Sequence, residues 1–176
     1  MAVRTRHLEA GLDHVRVAPA EEGTLELIAR RPTVDVREVL EEAELDVEQG
    51  LVGDSWSLRG RQPNPKAQVT LMSARAAELI AGEREHWPLA GDQLFVDLDL
   101  SGANLPPGTR LAIGSAMVEV TAMPHLGCGK FTKRFGHEAR AFVNSPNGVA
   151  LNLRGINTRV VQSGTVRRGD AVRKLS

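Results

Sequence analysis

A mainly β chain, folded into a closed or nearly closed barrel with a few short helices, is the architecture this sequence predicts. Its 17 glycines and 9 prolines among 176 residues give a turn-rich balance suited to many short strands and not to a helical bundle. From residue 91 onward, short segments of alternating apolar and polar residues recur between Gly- and Pro-containing turns, the pattern of a small barrel. At 19.0 kDa the chain fits one domain, residues 1–176, large enough for a real core.

Leu8, Leu12 and Val15 lie at i, i+4 and i+7, which predicts an amphipathic helix over 7–16 that stops before Pro19. Thr24–Arg30, opened by Gly23 and ended at Pro32, reads as a strand. Val36, Val39, Leu40 and Ala43 have helical spacing, yet Arg37–Leu40 equally starts a strand, and the pattern leaves both open. Gly50–Trp56 and the polar run to Pro65 read as an exposed loop. Ala67–Met72 is a strand that gives way, with Ser73 as N-cap, to a helix Ala74–Ala81 closed by Gly82. Asp92–Leu100 alternates, with Val96, Leu98 and Leu100 on one face; Asp97 and Asp99 are the wet face of a half-buried strand rather than an acid/base pair.

Pro106-Pro107-Gly108 makes a turn, and Arg110–Ile113 pairs with Ala116–Ala122 as a hairpin across Gly114-Ser115. Phe131 and Phe135, four apart, put both rings on one face of a short helix as core anchors. Ser145-Pro146-Asn147-Gly148 turns the chain, Val149–Leu153 and Ile156–Val161 are strands, and turns at Ser163–Thr165 and Arg168–Asp170 precede a last strand ending at Leu175.

The single cysteine, Cys128, follows Gly127 and precedes Gly129-Lys130-Phe131-Thr132-Lys133-Arg134. A thiol is a nucleophile or metal ligand only when ionised, and its reference pKa of ~8.5 leaves a few per cent thiolate at neutral pH unless positive charge lies nearby. Lys130, Lys133 and Arg134 supply that charge, while the two glycines remove Cβ bulk beside the sulfur and permit φ > 0. The alternative for a lone cysteine is a packing role as a small hydrophobe; the loop-like context argues for a site. Charge distribution points the same way. Residues 101–176 hold 11 Lys and Arg against 3 Asp and Glu, and residues 1–100 hold 11 against 19, so the halves carry +8 and −8. A basic half around the thiol suggests an anionic ligand such as a phosphorylated cofactor; the alternative is a basic surface that pairs with the acidic half.

One cysteine forms no internal disulfide, the N-terminus has no signal-like apolar core, and no apolar run approaches the ~20 residues of a membrane span. A cytoplasmic protein without membrane association is expected. Gly129-Lys130 lacks the flanking residues of a phosphate-cradling loop, and no G-x-G-x-x-G follows a strand. His125 and Cys128 have the spacing of half a zinc site, but no second cysteine exists and only His137 is near. A Cys–His nucleophile pair has no positive signal, so both histidines read as ordinary loop or surface residues. With no tyrosine and 3% aromatic residues, a nucleic-acid barrel built on base stacking is not expected.

Nine segments, in order over roughly residues 50–175, carry a family resemblance: Gly50-Leu-Val-Gly-Asp54, Gln68-Val-Thr-Leu71, Gly91-Asp-Gln-Leu94, Pro107-Gly-Thr-Arg-Leu111, Ile113-Gly114, Val118-Glu-Val-Thr121, Cys128-Gly-Lys130, Arg134-Phe-Gly136, and Arg159-Val-Val161 with Gly164-Thr-Val166 and Gly169-Asp170. They resemble the MOSC domain, named for the C-terminal domain of molybdenum cofactor sulfurase, in its small stand-alone bacterial type. The resemblance implies a β-barrel related to the pyruvate-kinase barrel domain, with residues 1–49 as an extension packed on it. It also implies a cysteine at the mouth of a pterin-cofactor pocket, which by motif falls on Cys128. That cysteine is a molybdenum ligand in members resembling the amidoxime-reducing component and a proposed persulfide carrier in others.

The family often has Gly-Glu-Asn where this chain has Gly91-Asp92-Gln93, which keeps acid then amide but changes their reach. Neither the aminotransferase-like sulfurase domain nor the N-terminal β domain of larger members is present, so an electron-donor reductase or a cysteine desulfurase-type sulfur donor is expected in trans. The implied site is a molybdenum cofactor (molybdopterin) with its phosphate among Lys130, Lys133, Arg134 and Arg154, Asp92 and Gln93 at the pocket, and the Cys128 thiolate on molybdenum. The implied function is reduction of small N-hydroxylated compounds. A sulfur carrier holding a persulfide on Cys128 for metallocofactor assembly, and a non-catalytic anion-binding module, stand as alternatives.

Overall fold

Seven strands close on themselves in the computed structural model, which describes residues 2–60 and 63–175. The strands are β1 (Glu22–Arg30), β2 (Glu38–Leu40), β3 (Glu42–Asp46), β4 (Gly50–Leu51), β5 (Val69–Ser73), β6 (Leu94–Asp97), β7 (Arg110–Ile113), β8 (Ala116–Val120), β9 (Ile156–Gln162), β10 (Gly164–Arg167) and β11 (Ala171–Leu175). Around the barrel the order is β1, β6, β5, β9, β8, β7, β11 and back to β1, with β5 and β6 parallel and every other pair antiparallel. β1 is the closing stave: its start pairs with β11, its middle with β6, and its end carries β2. β3, β4 and β10 form a separate small sheet.

Successive side chains of a strand point to opposite faces, and this period of two builds two cores. Val69 and Leu71 of β5 and Leu94 and Val96 of β6 fill the barrel with Leu25, Ile28, Leu111, Ile113, Val118 and Val172. Met72 of β5, Phe95 of β6, and Leu27 and Ala29 of β1 point outward. There they meet the helices: α1 (Ala2–Ala10), α2 (Leu12–Arg16), α3 (Ala74–Ala81), α4 (Gly129–Phe135), α5 (His137–Val143) and α6 (Pro146–Ala150). Leu8, Leu12, Val15, Ile80, Trp87 and Phe131 cover the outward strand residues. Each such fully buried side chain contributes about 1.5–3 kcal/mol, so the helical layer is a second core and not a decoration.

Helix α3 has the bounds expected from sequence, with Ser73 Oγ accepting from Ala76 N. The segment 36–43, which spacing left open, holds strand and no helix: β2 from Glu38 pairs with β1, and β3 from Glu42 pairs with β10. The helix expected over 7–16 is two helices separated at Gly11, where a Cβ would lie 2.3 Å from Leu79 Cδ1. The strand expected over Asp92–Leu100 is confined to Leu94–Asp97. The strand expected at Val149–Leu153 is overturned. Ser145 Oγ accepts from Gly148 N and Pro146 stands at the first position, so the apparent turn is the first turn of α6. The turn expected at Ser163–Thr165 leads into β10. Two short 3₁₀ turns, Ser55–Leu58 and Pro65–Ala67, and strand β4 structure the expected loop 50–65, whose residues 61 and 62 lie outside the described residues.

Both readings of the charge asymmetry have a counterpart. Arg167–Glu42, Arg168–Glu41, Arg173–Glu22 and Lys174–Glu21 tie the basic half to the acidic half along β10 and β11. Such exposed pairs contribute about 0–1 kcal/mol each. Arg110 and Arg159 pair with Glu119, while Lys130, Arg134 and Arg154 gather at the cavity described next. No helix among the described residues is long and apolar enough to cross a membrane.

Candidate functional site

The barrel interior is packed, and the site lies on its outer wall. Thr70 shares the outward face of β5 with Met72, and over it opens a cavity of about 530 Å³, within the range of ~300–1,000 Å³ usual for small-molecule sites. Arg31 and Arg37 reach it from the segment after β1, Arg59 from the end of the Ser55–Leu58 turn, and His125 from the segment after β8. Gly91 arrives ahead of β6 and Arg154 ahead of β9, while Cys128, Lys130, Phe131 and Arg134 come from the start and body of α4. Among the described residues, six cationic side chains line this cavity against one carboxylate, Asp35.

Two buried polar networks form the floor. In the first, Asp92 is fully buried; its Oδ2 accepts from Arg154 Nη1 and its Oδ1 lies 2.8 Å from His125 Nε2. Burial pushes this carboxyl up, but the charges of Arg154 and His125 outweigh it and hold it down to about 2. Arg154 is 7% exposed, donates Nη2 to Ala90 O, and lies 5.1 Å over the Phe131 ring, leaving its buried Nε without a partner among the described residues. Gly155, at φ 122°, leaves room for this pair: a Cβ there would lie 2.5 Å from Leu71 O and 3.2 Å from Asp92 Oδ1. In the second network, Asp54 accepts from Arg31 N, Nε and Nη2 and from Trp56 N. Gln93 donates to Asp54 Oδ2 and accepts from Thr70 N and Oγ1. Burial raises Asp54, but the Arg31 hydrogen bonds and charge leave it below the ordinary carboxylate range.

Cys128 is the N-cap residue of α4 and is exposed at the cavity edge. The Phe131 backbone N–H does most to lower its thiol below the usual range; partial burial opposes this, and the Lys130 N–H and the Arg154 charge add to it. The neighbouring glycines have separate roles, and neither has positive φ. Gly127 is clamped by α5, its N donating to Asn144 Oδ1 and its O accepting from Asn144 Nδ2 and Arg140 Nε. A Cβ at Gly129 would meet nothing within 4 Å, so the sulfur's surroundings are open on that side.

Of the residues singled out from sequence, Cys128, Lys130, Arg134 and Arg154 line the cavity, and Asp92 and Gln93 lie beneath it. Lys133 is exposed and lies outside the lining. His125, read as an ordinary loop residue, is a partner of Asp92; its spacing from Cys128 was the signal, but it suggested zinc. Among the described residues no three His, Cys, Asp or Glu side chains cluster as a metal site. Arg31, Arg37 and Arg59 were missed because they belong to the net-acidic half, where a charge summed over 100 residues hides three local cations.

A family model for the MOSC domain matches residues 61–173. The fold is similar to that of the YuaD protein from Bacillus subtilis, at 17% identity and TM-score 0.58, covering 86% of this chain and 94% of that one. It is also similar to YiiM from Escherichia coli, at 19% identity and TM-score 0.58, covering 87% and 70%. YiiM from Geobacillus stearothermophilus aligns at 14% identity and TM-score 0.55, covering 87% and 74%. A search of curated proteins finds no match.

Proposed function

Because this chain belongs to the MOSC domain family, which is associated with molybdenum cofactor binding, we propose that the cavity over Thr70 holds the molybdenum cofactor (molybdopterin). The observation that carries this reading is Arg154: a guanidinium nine-tenths buried, with an Nε unpartnered among the described residues, in a cationic cavity that also contains the only thiol of the sequence. These residues fit the group. A phosphorylated pterin is an anion with a planar body, and guanidinium and ammonium groups suit phosphate oxygens. A thiolate suits a soft, redox-active metal.

In this reading Lys130, Arg134 and Arg154 hold the phosphate, with Lys133 adding charge from outside the lining, and Cys128 is the metal ligand. Asp92 aims Arg154 through a buried ion pair and also orients His125, while Gln93 and Asp54 fix the floor. The bound cofactor would supply a two-electron redox centre. The reaction is reduction of a small N-hydroxylated compound, in which the N–O bond breaks with two electrons and two protons to give the reduced nitrogen and water. Electrons come from a reductase in trans.

A second reading rests on the exposure of Cys128 and the open space beside Gly129: the thiol carries persulfide sulfur delivered by a cysteine desulfurase-type donor. The test is purification from a cofactor-competent host, followed by molybdenum analysis, pterin fluorescence after oxidation, and intact-mass measurement for a +32 Da persulfide adduct. Molybdenum and pterin near one per chain, lost in K130E/R134E while the fold persists, support the first reading. Persulfide without either supports the second.

A further inference from the structure

The family match begins at residue 61 and includes Cys128, Lys130, Arg134 and Arg154. One part of the lining, drawn from residues 31–37 and 55–59, precedes that match. This other part of the wall has its own chemistry. Among the described residues, Arg37 hydrogen-bonds only carbonyls, Pro88 O and Val36 O, and Arg59 has no carboxylate within salt-bridge distance. Arg31 differs, being neutralised by the bidentate Asp54. Arg37 and Arg134 converge over Gly91, whose Cβ would lie 3.9 and 3.7 Å from their Nη atoms. Burial, then the Arg134 and Arg31 charges, lower Arg37 against the opposing Asp35 and Asp54 carboxylates, and burial with Arg31 lowers Arg59 against Asp54. Beside these cations stand two large apolar side chains, Val34 and Leu58, each 78% exposed although each lines the cavity.

Unpaired guanidiniums that crowd one another are stabilised by an oxyanion, and apolar surface left in water at a cavity wall is stabilised by an apolar cover. Both sets of residues belong to one cavity. Resting on the reading of this cavity as the cofactor and substrate pocket, we infer that residues 31–37 and 55–59 select a substrate with an oxyanion on an apolar body, Arg37 and Arg59 receiving the oxyanion and Val34 and Leu58 covering the body. The Asp35 carboxylate acts on Arg37 as well, but it is largely exposed and its Oδ1 lies 3.4 Å from Arg134 Nη2, so it offsets only part of the positive charge here.

The probes are benzamidoxime and its 4-carboxylate, which differ by one oxyanion, titrated calorimetrically into protein purified from a cofactor-competent host. The carboxylate should bind at least about tenfold more tightly, as hydrogen bonds to a charged partner imply. R37Q/R59Q should reduce that ratio to within about twofold, and R37K/R59K should keep most of it. R59Q alone, at an exposed residue, keeps the test readable if the double variant unfolds. An equal affinity for the two probes, or a ratio unchanged in the glutamine variants, overturns the inference. So does loss of pterin from R37Q/R59Q, which would assign the arginines to the cofactor's phosphate and leave the proposed function standing. If the parent protein carries neither molybdenum nor pterin, the proposed function fails; benzoate binding more tightly than benzamide would then uphold the oxyanion site by itself, and equal binding would overturn it.

Discussion

Cys128 and Asp92 define the site at the residue scale, and each makes a different demand on the protein. An exposed thiol at an N-cap, lowered by the Phe131 and Lys130 amides and the Arg154 charge, should be alkylated by iodoacetamide near pH 6–7 faster than a free thiol. Bound cofactor should protect it, and Cys128→Ala should melt within a few degrees of the parent because no packing is lost. A thiol inert until denaturation would return Cys128 to a packing role. Asp92 behaves oppositely. Asp92→Asn leaves Arg154 charged and buried without its carboxylate, so urea unfolding at pH 7 should show a loss of about 3–5 kcal/mol. The folded value of Asp92, about 2, lies below the unfolded value near 3.9. Its contribution is therefore complete above pH ~4 and lost as pH falls through about 2, and the parent–variant gap should shrink over that window. A gap constant from pH 7 to 2 would remove the ion pair as its cause.

Elements place these residues by backbone constraint. Helix α4 delivers Cys128, Lys130, Phe131 and Arg134, and the Gly127 clamp onto α5 sets where it begins. Two glycines near the site should respond in contrast. Gly155 has φ 122° and faces Leu71 O, so Gly155→Ala should cost about 2 kcal/mol or more through strain and displacement of the Asp92 network. Gly129, with ordinary φ and open space around its missing Cβ, should accept alanine at a cost within about 0.5 kcal/mol. Thermal denaturation of the two variants checks this, and similar losses in both would show that the Gly155 conformation is not demanding.

At the scale of the whole molecule, the barrel is closed by a stave outside the matched family segment. β1 pairs with β6 and β11 at once, and its outward residues Leu27 and Ala29 hold the helical layer. A chain cut to residues 61–176 therefore has two unpaired edges and lacks Leu8, Leu12, Val15, Leu27 and Ala29 of the second core. It should show no cooperative unfolding transition by circular dichroism, whereas the full chain should unfold in one step with a strand-dominated spectrum. A cooperative transition in the shortened chain would mean that the matched segment folds without β1.

Local patterns determined much of this protein. Alternation and turn chemistry identified β1, β5, β7, β8, β9 and β11, the Ser73 cap identified α3, and the glycine-flanked thiol singled out Cys128 as a candidate that lies at the cavity edge, because these signals depend on neighbours within a few residues. Tertiary structure decided the rest. Residues 146–153 became a helical turn and not a strand because Ser145 caps it and Gly148 packs against Phe142 O and Val143 O. Arg31, Arg37 and Arg59 joined Arg154 and Cys128 because the fold brings the segment after β1 and the Ser55–Leu58 turn beside the segments ahead of β6 and β9. His125 and Asp92, 33 residues apart, became partners for the same reason. Convergence of this kind depends on which strands pair, and no local period in the chain records it.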